Sequence, residues 1–180
     1  MGLESKPGLP ADLRAIFLDL DDTLCDTRRA DELGVREHAL LIQRQNPEVD
    51  GESFLWAFMD ALYGRRKTLH SRPSHKDELG WRHRVMIEVS LDHGMKWTME
   101  QAVACYDGLT ASRVRHFDFY PGVREMLQQL RHKFKLAVLT NGPACSQRWK
   151  IERAGLEELV DVCYIGGEMP SQKPTPHMFE

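Results

Sequence analysis

Three carboxylates fall within four positions at Asp19, Asp21 and Asp22, directly behind the apolar run Ala15-Ile16-Phe17-Leu18. Like charges at this spacing repel and raise one another's pKa. A sequence that gathers them must therefore supply an opposing charge. Magnesium would relieve the repulsion, because hard cations take oxygen ligands and Mg²⁺ binds through one or two carboxylates, several waters and substrate phosphate. Two later stretches could hold that phosphate. Thr140-Asn141-Gly142 offers a hydroxyl and a backbone N–H just ahead of a helical stretch, a natural place for an anion. Lys173 supplies a full positive charge. Together these residues could hold a phosphate monoester dianion against a carboxylate nucleophile. Each residue also has a plain reading. The two aspartates can open a turn, Thr140 can end a strand, and Lys173 can sit on the surface. Only a shared placement selects the chemistry.

That placement depends on the surrounding elements. Residues 15–20 form a continuous apolar run ending in acid, which predicts a strand buried on both faces with Asp19 as its last residue. From about residue 28 to 116 the pattern turns helical. Val35, Ala39 and Ile42 share one helix face, as do Phe54, Phe58 and Leu62. Thr98-Met99-Glu100-Gln101 reads as a capping box, after which Met99, Val103, Tyr106, Thr110 and Val114 are expected to line one face. Pro47, Gly51, Gly64, Pro73 and Gly94 punctuate these segments, so a four-helix insertion is expected. Strand–helix alternation then resumes. Val123, Met126, Leu127 and Leu130 mark an amphipathic helix, "KLAVLT" at 135–140 a buried strand, 144–154 a helix and "VDVCYIGG" a further strand. Strands alternating with helices imply an α/β fold with a doubly wound parallel, Rossmann-like sheet. Ligands bind such sheets beyond the carboxyl ends of the strands, where Asp19, Asp21, Thr140, Asn141 and Lys173 all fall.

Bulk properties remove several function classes. The chain has 180 residues, 42% apolar and 28% charged, with net charge −3. No basic field is available to recruit nucleic acid or an anionic membrane. No apolar run approaches the ~20 residues of a membrane helix. The N-terminus has no apolar signal core, and Lys6 occupies the position where a myristoylation signal needs Ser or Thr. Cys25, Cys105, Cys145 and Cys163 show no paired spacing and read as buried thiols of a reduced, cytoplasmic protein. His70, His75, His83 and His93 crowd one stretch but fit no zinc spacing and read as solvated surface, as does Arg65-Arg66-Lys67.

"DLDDT" from Asp19 to Thr23, "LTNG" from Leu139 to Gly142 and "KPTPHMF" from Lys173 to Phe179 resemble, in order and spacing, the first three signature motifs of the haloacid dehalogenase superfamily. The helical insertion lies where that superfamily carries a helical cap. The resemblance implies a catalytic core at 1–27 and 117–180 and a cap at 28–116. It implies a Mg²⁺-dependent phosphomonoester hydrolase. Asp19 would attack phosphorus and form an aspartyl-phosphate, while Asp21 would protonate the leaving alcohol and then activate water. The metal would take the Asp19 carboxylate and the Asp21 backbone carbonyl, and Thr140, the Asn141 amide and Lys173 would hold the phosphoryl oxygens. Asp22 fills the variable slot and is expected to be solvated or to cap a turn. The implied substrate is a small phosphorylated metabolite, a sugar phosphate first. A nucleotidase or phosphomutase shares these motifs, whereas dehalogenases of the superfamily lack an acid at the position of Asp21.

The superfamily's fourth motif, an acidic pair 25–30 residues past the lysine, has no counterpart before Glu180. Without the strand that carries it, the strand at 16–20 is expected to become a sheet edge. The chain therefore reads as a fragment, a truncated form or a shortened variant. Thr175 and Pro176 open a helix that would have about five residues, too few to stand without tertiary support. With one carboxylate of the metal site missing, weak Mg²⁺ binding and little turnover are expected beside a longer form.

Overall fold

The computed structural model describes residues 12–69 and 77–176. Their elements run β1 (Ala15–Leu18), α1 (Thr27–Gln45), α2 (Gly51–Leu62), α3 (Glu78–Asp92), α4 (Met99–His116), α5 (Val123–Leu130), β2 (Lys135–Thr140), α6 (Ala144–Ala154) and β3 (Val162–Ile165). The order is an α/β alternation interrupted by four consecutive helices. The strands form a parallel sheet in the order β1-β2-β3. Leu18 lies opposite Val138, and Thr140 opposite Ile165. All three strands therefore end at one rim, and the segments that follow them emerge side by side.

Two hydrophobic clusters hold these layers. One draws on α1 to α4 and includes Val35, Ala39, Phe54, Phe58, Val85, Met86 and Leu109. The other packs the sheet and includes Leu20, Phe117, Leu127, Leu136, Val138, Ile151 and Ile165. Full burial of an aliphatic or aromatic side chain stabilises by roughly 1.5–3 kcal/mol, so each cluster contributes substantially.

Helix starts follow local chemistry. The Asp26 side chain caps α1 by accepting from Arg29 N at 3.0 Å. Asp50 caps α2 in the same way through Ser53 N at 3.1 Å. The capping box at Thr98 and Gln101 is formed in both directions. Asp22, in the left-handed region at φ 53°, adds a second cap to α1 by accepting from Arg28 N at 2.9 Å. That is the capping role its sequence position allowed.

Four expectations are corrected. β1 is the sheet edge that was expected, among the described residues, but it is not buried on both faces; Phe17 is 53% exposed. It ends at Leu18, so Asp19 stands just past the strand. On α4 the buried positions are Ala102, Cys105, Tyr106, Leu109, Ser112 and Arg113, and Met99 is exposed. Asp31 on α1 turns Arg113 inward, and Ser112 accepts from Arg115 on the same helix, neither of which an apolar periodicity registers. Cys145 is exposed and Cys163 half-buried, so only Cys25 and Cys105 are buried as expected, and all four thiols are free.

Candidate active site

Asp19 sits where β1 turns away from the sheet. Its Oδ1 accepts from Leu20 N at 2.9 Å and from Lys173 Nζ at 2.8 Å. The side chain is 45% exposed, with Lys173 at 23%. No hydrogen bond engages Asp19 Oδ2 among the described residues. Lys173 is pinned from two sides. Its Nζ also donates to Leu139 O at 2.6 Å. Its backbone N–H donates to Asn141 Oδ1 at 2.9 Å, while Asn141 Nδ2 donates back to Lys173 O at 3.0 Å. The turn before that loop rests on Gly167, whose N–H donates to Gly142 O at 2.9 Å. A Cβ at Gly167 would lie 2.7 Å from Ala144 N and 2.8 Å from Gly142 O. Only glycine allows that approach.

Asp21, two positions on, has a different environment. Its Oδ1 accepts from Thr27 Oγ1 and from Lys150 Nζ, both at 2.6 Å. Its Oδ2 accepts from Gln147 Nε2 at 2.9 Å. Burial works to raise this carboxyl, but the Lys150 charge and the three donors outweigh it and hold the pKa below the ordinary aspartate range. Lys150 is itself buried, with its side chain 5% exposed. Burial pulls its ammonium below the usual lysine range while the Asp21 carboxylate opposes that pull.

Gln147 and Lys150 lie three positions apart on α6 and so share a face. The same Gln147 amino group donates to Thr140 Oγ1. Because the ionised Asp21 can only accept, the amino side of Gln147 must face it. Thr140 therefore accepts a hydrogen bond from Gln147 and donates its own proton to Asn141 O at 3.3 Å.

All five residues singled out from the sequence thus meet at one rim. Asp19 pairs with Lys173, Lys173 with Asn141, and Asp21 reaches Thr140 through Gln147. Thr140 is the least open of them, at 1% exposed. Thr27, Gln147 and Lys150 were given no role from the sequence. For Gln147 and Lys150 the available signal was their spacing within the helix that directly follows "LTNG".

A cavity of about 470 Å³ borders this rim at Asp21 and Asn141, with Asp19, Thr140 and Lys173 outside its lining. Asp21, Asn141 and Lys150 line it from the sheet side, and Tyr63, Arg82 and Arg113 from the helices. Its volume falls within the range of small-molecule sites. The Arg65-Arg66-Lys67 run is not part of its lining. Arg65 pairs with Asp60 at 3.2 Å and Arg66 with Asp92, as a solvated charge run would. His93 bonds Val89 O and His83 stacks on Tyr106. His70 and His75 lie outside the described residues.

For a metal, the described residues gather no cluster of three His, Cys, Asp or Glu. They do leave Asp19 Oδ2 without a hydrogen-bond donor. A single free carboxylate oxygen is the kind of hard donor that Mg²⁺ takes while it keeps most of its waters.

A family model for haloacid dehalogenase-like hydrolases matches residues 13–180. The chain is 29% identical over 174 residues to N-acylneuraminate-9-phosphatase of Rattus norvegicus, covering 93% of this chain and 66% of that protein. It is 27% identical over 171 residues to glyceraldehyde 3-phosphate phosphatase of Pyrococcus abyssi, with the same 93% and 66% coverage. This chain thus spans just under two thirds of the length of these curated relatives. Among solved structures, an HAD phosphatase from Thermococcus onnurineus shares the fold, with TM-score 0.56 and 20% identity over 93% of this chain and 68% of that one. A match from residue 13 to the last residue, on a shared fold, makes this chain a member of the haloacid dehalogenase-like hydrolase family.

Proposed function

We propose that the chain is a Mg²⁺-dependent phosphomonoester hydrolase that acts on a small phosphorylated metabolite, of which N-acylneuraminate 9-phosphate is the leading example. The observation that carries this reading is the contrast between two carboxylates two residues apart. Asp19 is open, with one oxygen unengaged, whereas Asp21 is enclosed by three donors. Environments that differ this much assign acid, base and nucleophile. The curated phosphatases to which the chain is similar add support.

In this reading Asp19 attacks phosphorus and carries the phosphoryl group. Lys173, the Asn141 amide and the Thr140 hydroxyl hold the phosphoryl oxygens, for which the Thr140 proton turns away from Asn141 O. Asp21 takes up a proton from solvent as its contact with Thr27 loosens, gives that proton to the leaving alcohol, and is left ionised to activate the water that releases phosphate. Thr27 is the first residue of α1, so movement of residues 28–116 as a lid over 1–27 and 117–180 would loosen the Thr27 contact, while Lys150 on α6 stays beside Asp21. Mg²⁺ held by the Asp19 carboxylate and the Asp21 carbonyl would offset the repulsion between Asp19 and a phosphate dianion.

Phosphate release from p-nitrophenyl phosphate, with and without chelator, tests the reading. Turnover should depend on Mg²⁺ and be lost in Asp19→Asn. Substantial activity in that variant removes Asp19 from the role.

A further inference from the structure

We infer that Arg113 is a specificity-determining residue and that the cavity takes a phosphate ester whose leaving group carries a carboxylate. The inference rests on the phosphatase reading above and concerns the far end of the same cavity.

Two arginines line that cavity from the helices, and they are not equivalent. Arg82 has every nitrogen engaged: Nε and Nη2 donate to Glu78 Oε1, and Nη1 donates to the Tyr106 hydroxyl. Arg113 is anchored through Nε alone, which donates to Asp31 Oδ1 at 2.6 Å. Its two terminal amino groups donate to no described residue, although the side chain is only 6% exposed. Neither amino group is sealed away from the cavity space. A guanidinium that is nine-tenths buried with an idle fork is expensive unless something accepts from it.

The anchor also fixes the fork's direction. Asp31 is held in turn by the Tyr63 hydroxyl, and the guanidinium lies over the Trp149 ring at 5.6 Å from its centroid. Lys150, the partner of Asp21, stands 5.8 Å from the centroid of the same ring. The fork and the Asp21 carboxylate therefore flank one volume. An ester whose leaving oxygen meets Asp21 would extend its remaining atoms toward Arg113.

The charge balance selects the group. A planar fork matches a planar carboxylate through two parallel bonds. A second phosphate would bring a dianion close to Asp21, Asp31 and Glu78, whereas a carboxylate brings a single charge. N-acylneuraminate 9-phosphate and other sugar-acid phosphates belong to this class. Glyceraldehyde 3-phosphate does not.

The test uses two esters that differ mainly at the tail, 6-phosphogluconate and glucitol 6-phosphate. Their affinities are measured by calorimetry with Mg²⁺ on the Asp19→Asn chain, which holds an ester without turning it over. The carboxylate ester should bind at least ~10-fold more tightly, the scale of a charge-assisted hydrogen bond. Adding Arg113→Lys keeps a charge beside Asp31 but removes the fork. It should shrink the preference to about 2-fold and leave the neutral ester unaffected. A second variant, Asp31→Asn with Arg113→Met, avoids an unpaired buried carboxylate and should give the same loss. Thermal melts establish that each variant is folded. Equal binding of the two esters, or a preference that survives both variants, overturns the inference and leaves the phosphatase reading standing. Failure of both esters to bind overturns both.

Discussion

The Asp21–Lys150 pair is asymmetric, and that asymmetry predicts which half is costlier to remove. The Lys150 side chain is 5% exposed and that of Asp21 is 32% exposed. Asp21→Asn leaves an ammonium buried without its counter-charge, and breaking a buried pair this way costs about 3–5 kcal/mol. For a chain of this size about 1 kcal/mol moves the melting point by roughly 2–4 °C. The melting point should therefore fall by roughly 6–20 °C. Lys150→Met leaves a carboxylate that is one-third solvated and still accepts from Thr27 and Gln147, while the methionine stem keeps its packing on Trp149. Its cost should be about 1 kcal/mol. Pairing Asp21→Asn with Lys150→Met should recover most of the loss. The pH gives an independent check. With Asp21 gone, the folded-state pKa of Lys150 drops further below its unfolded value of about 10.4. The destabilisation is then fully present at neutral pH and fades as pH rises toward 10. Calorimetric melts of the four forms at pH 7 and pH 9.5 measure all of this. A double variant no more stable than Asp21→Asn, or a Lys150→Met loss as large as that of Asp21→Asn, would refute the reasoning.

Other outcomes follow from close contacts and buried groups. Gly34→Ala should destabilise by about 1–3 kcal/mol in urea titration despite alanine's better helix propensity, because its Cβ would lie 2.8 Å from Arg113 N and 2.9 Å from Arg113 Cα. His38 is buried with both ring nitrogens unpartnered, and burial together with the nearby Arg115 charge lowers its pKa. Its folded state thus resists protonation, so stability should be intact above about pH 6.5 and fall by up to ~1.4 kcal/mol per pH unit below it. His38→Leu should flatten that part of the profile. Gln147→Leu should weaken inorganic phosphate binding in wild-type chain but add no further loss to Thr140→Val, read by calorimetry; equal losses in both backgrounds would separate Gln147 from Thr140.

The sequence exposed most of what local chemistry dictates. The apolar runs of β2 and β3, the Thr98 capping box and the Val35 and Phe54 helix faces all appear where their patterns placed them. The rim residues were legible because each ends a strand or follows one. What stayed hidden depends on partners distant in sequence. Lys150 is a lysine among charged neighbours on an exposed-looking helix, and lysine is rarely buried unless paired. Its partner Asp21 lies on the other side of the four-helix insertion, so only the fold reveals the pair. Arg113 pairs with Asp31 across 82 positions. That contact also turned the α4 face away from its apolar periodicity. The burial of β1 was misjudged because apolar residues record a need for cover, not the number of neighbours present.

The reciprocal bonds between the Asn141 amide and the main chain of Lys173 divide labour in a useful way. The amide recognises backbone, which every residue type carries, so the loop's address is independent of the side chain it delivers. Position 173 then behaves like a socket. Methionine, arginine or an acetylated lysine there would be presented at the same point on the rim, and only the charge facing Asp19 would change. Asn141→Ala reverses the experiment, since it keeps the cation and abolishes its address. Few sites allow identity and position to be varied separately with single substitutions.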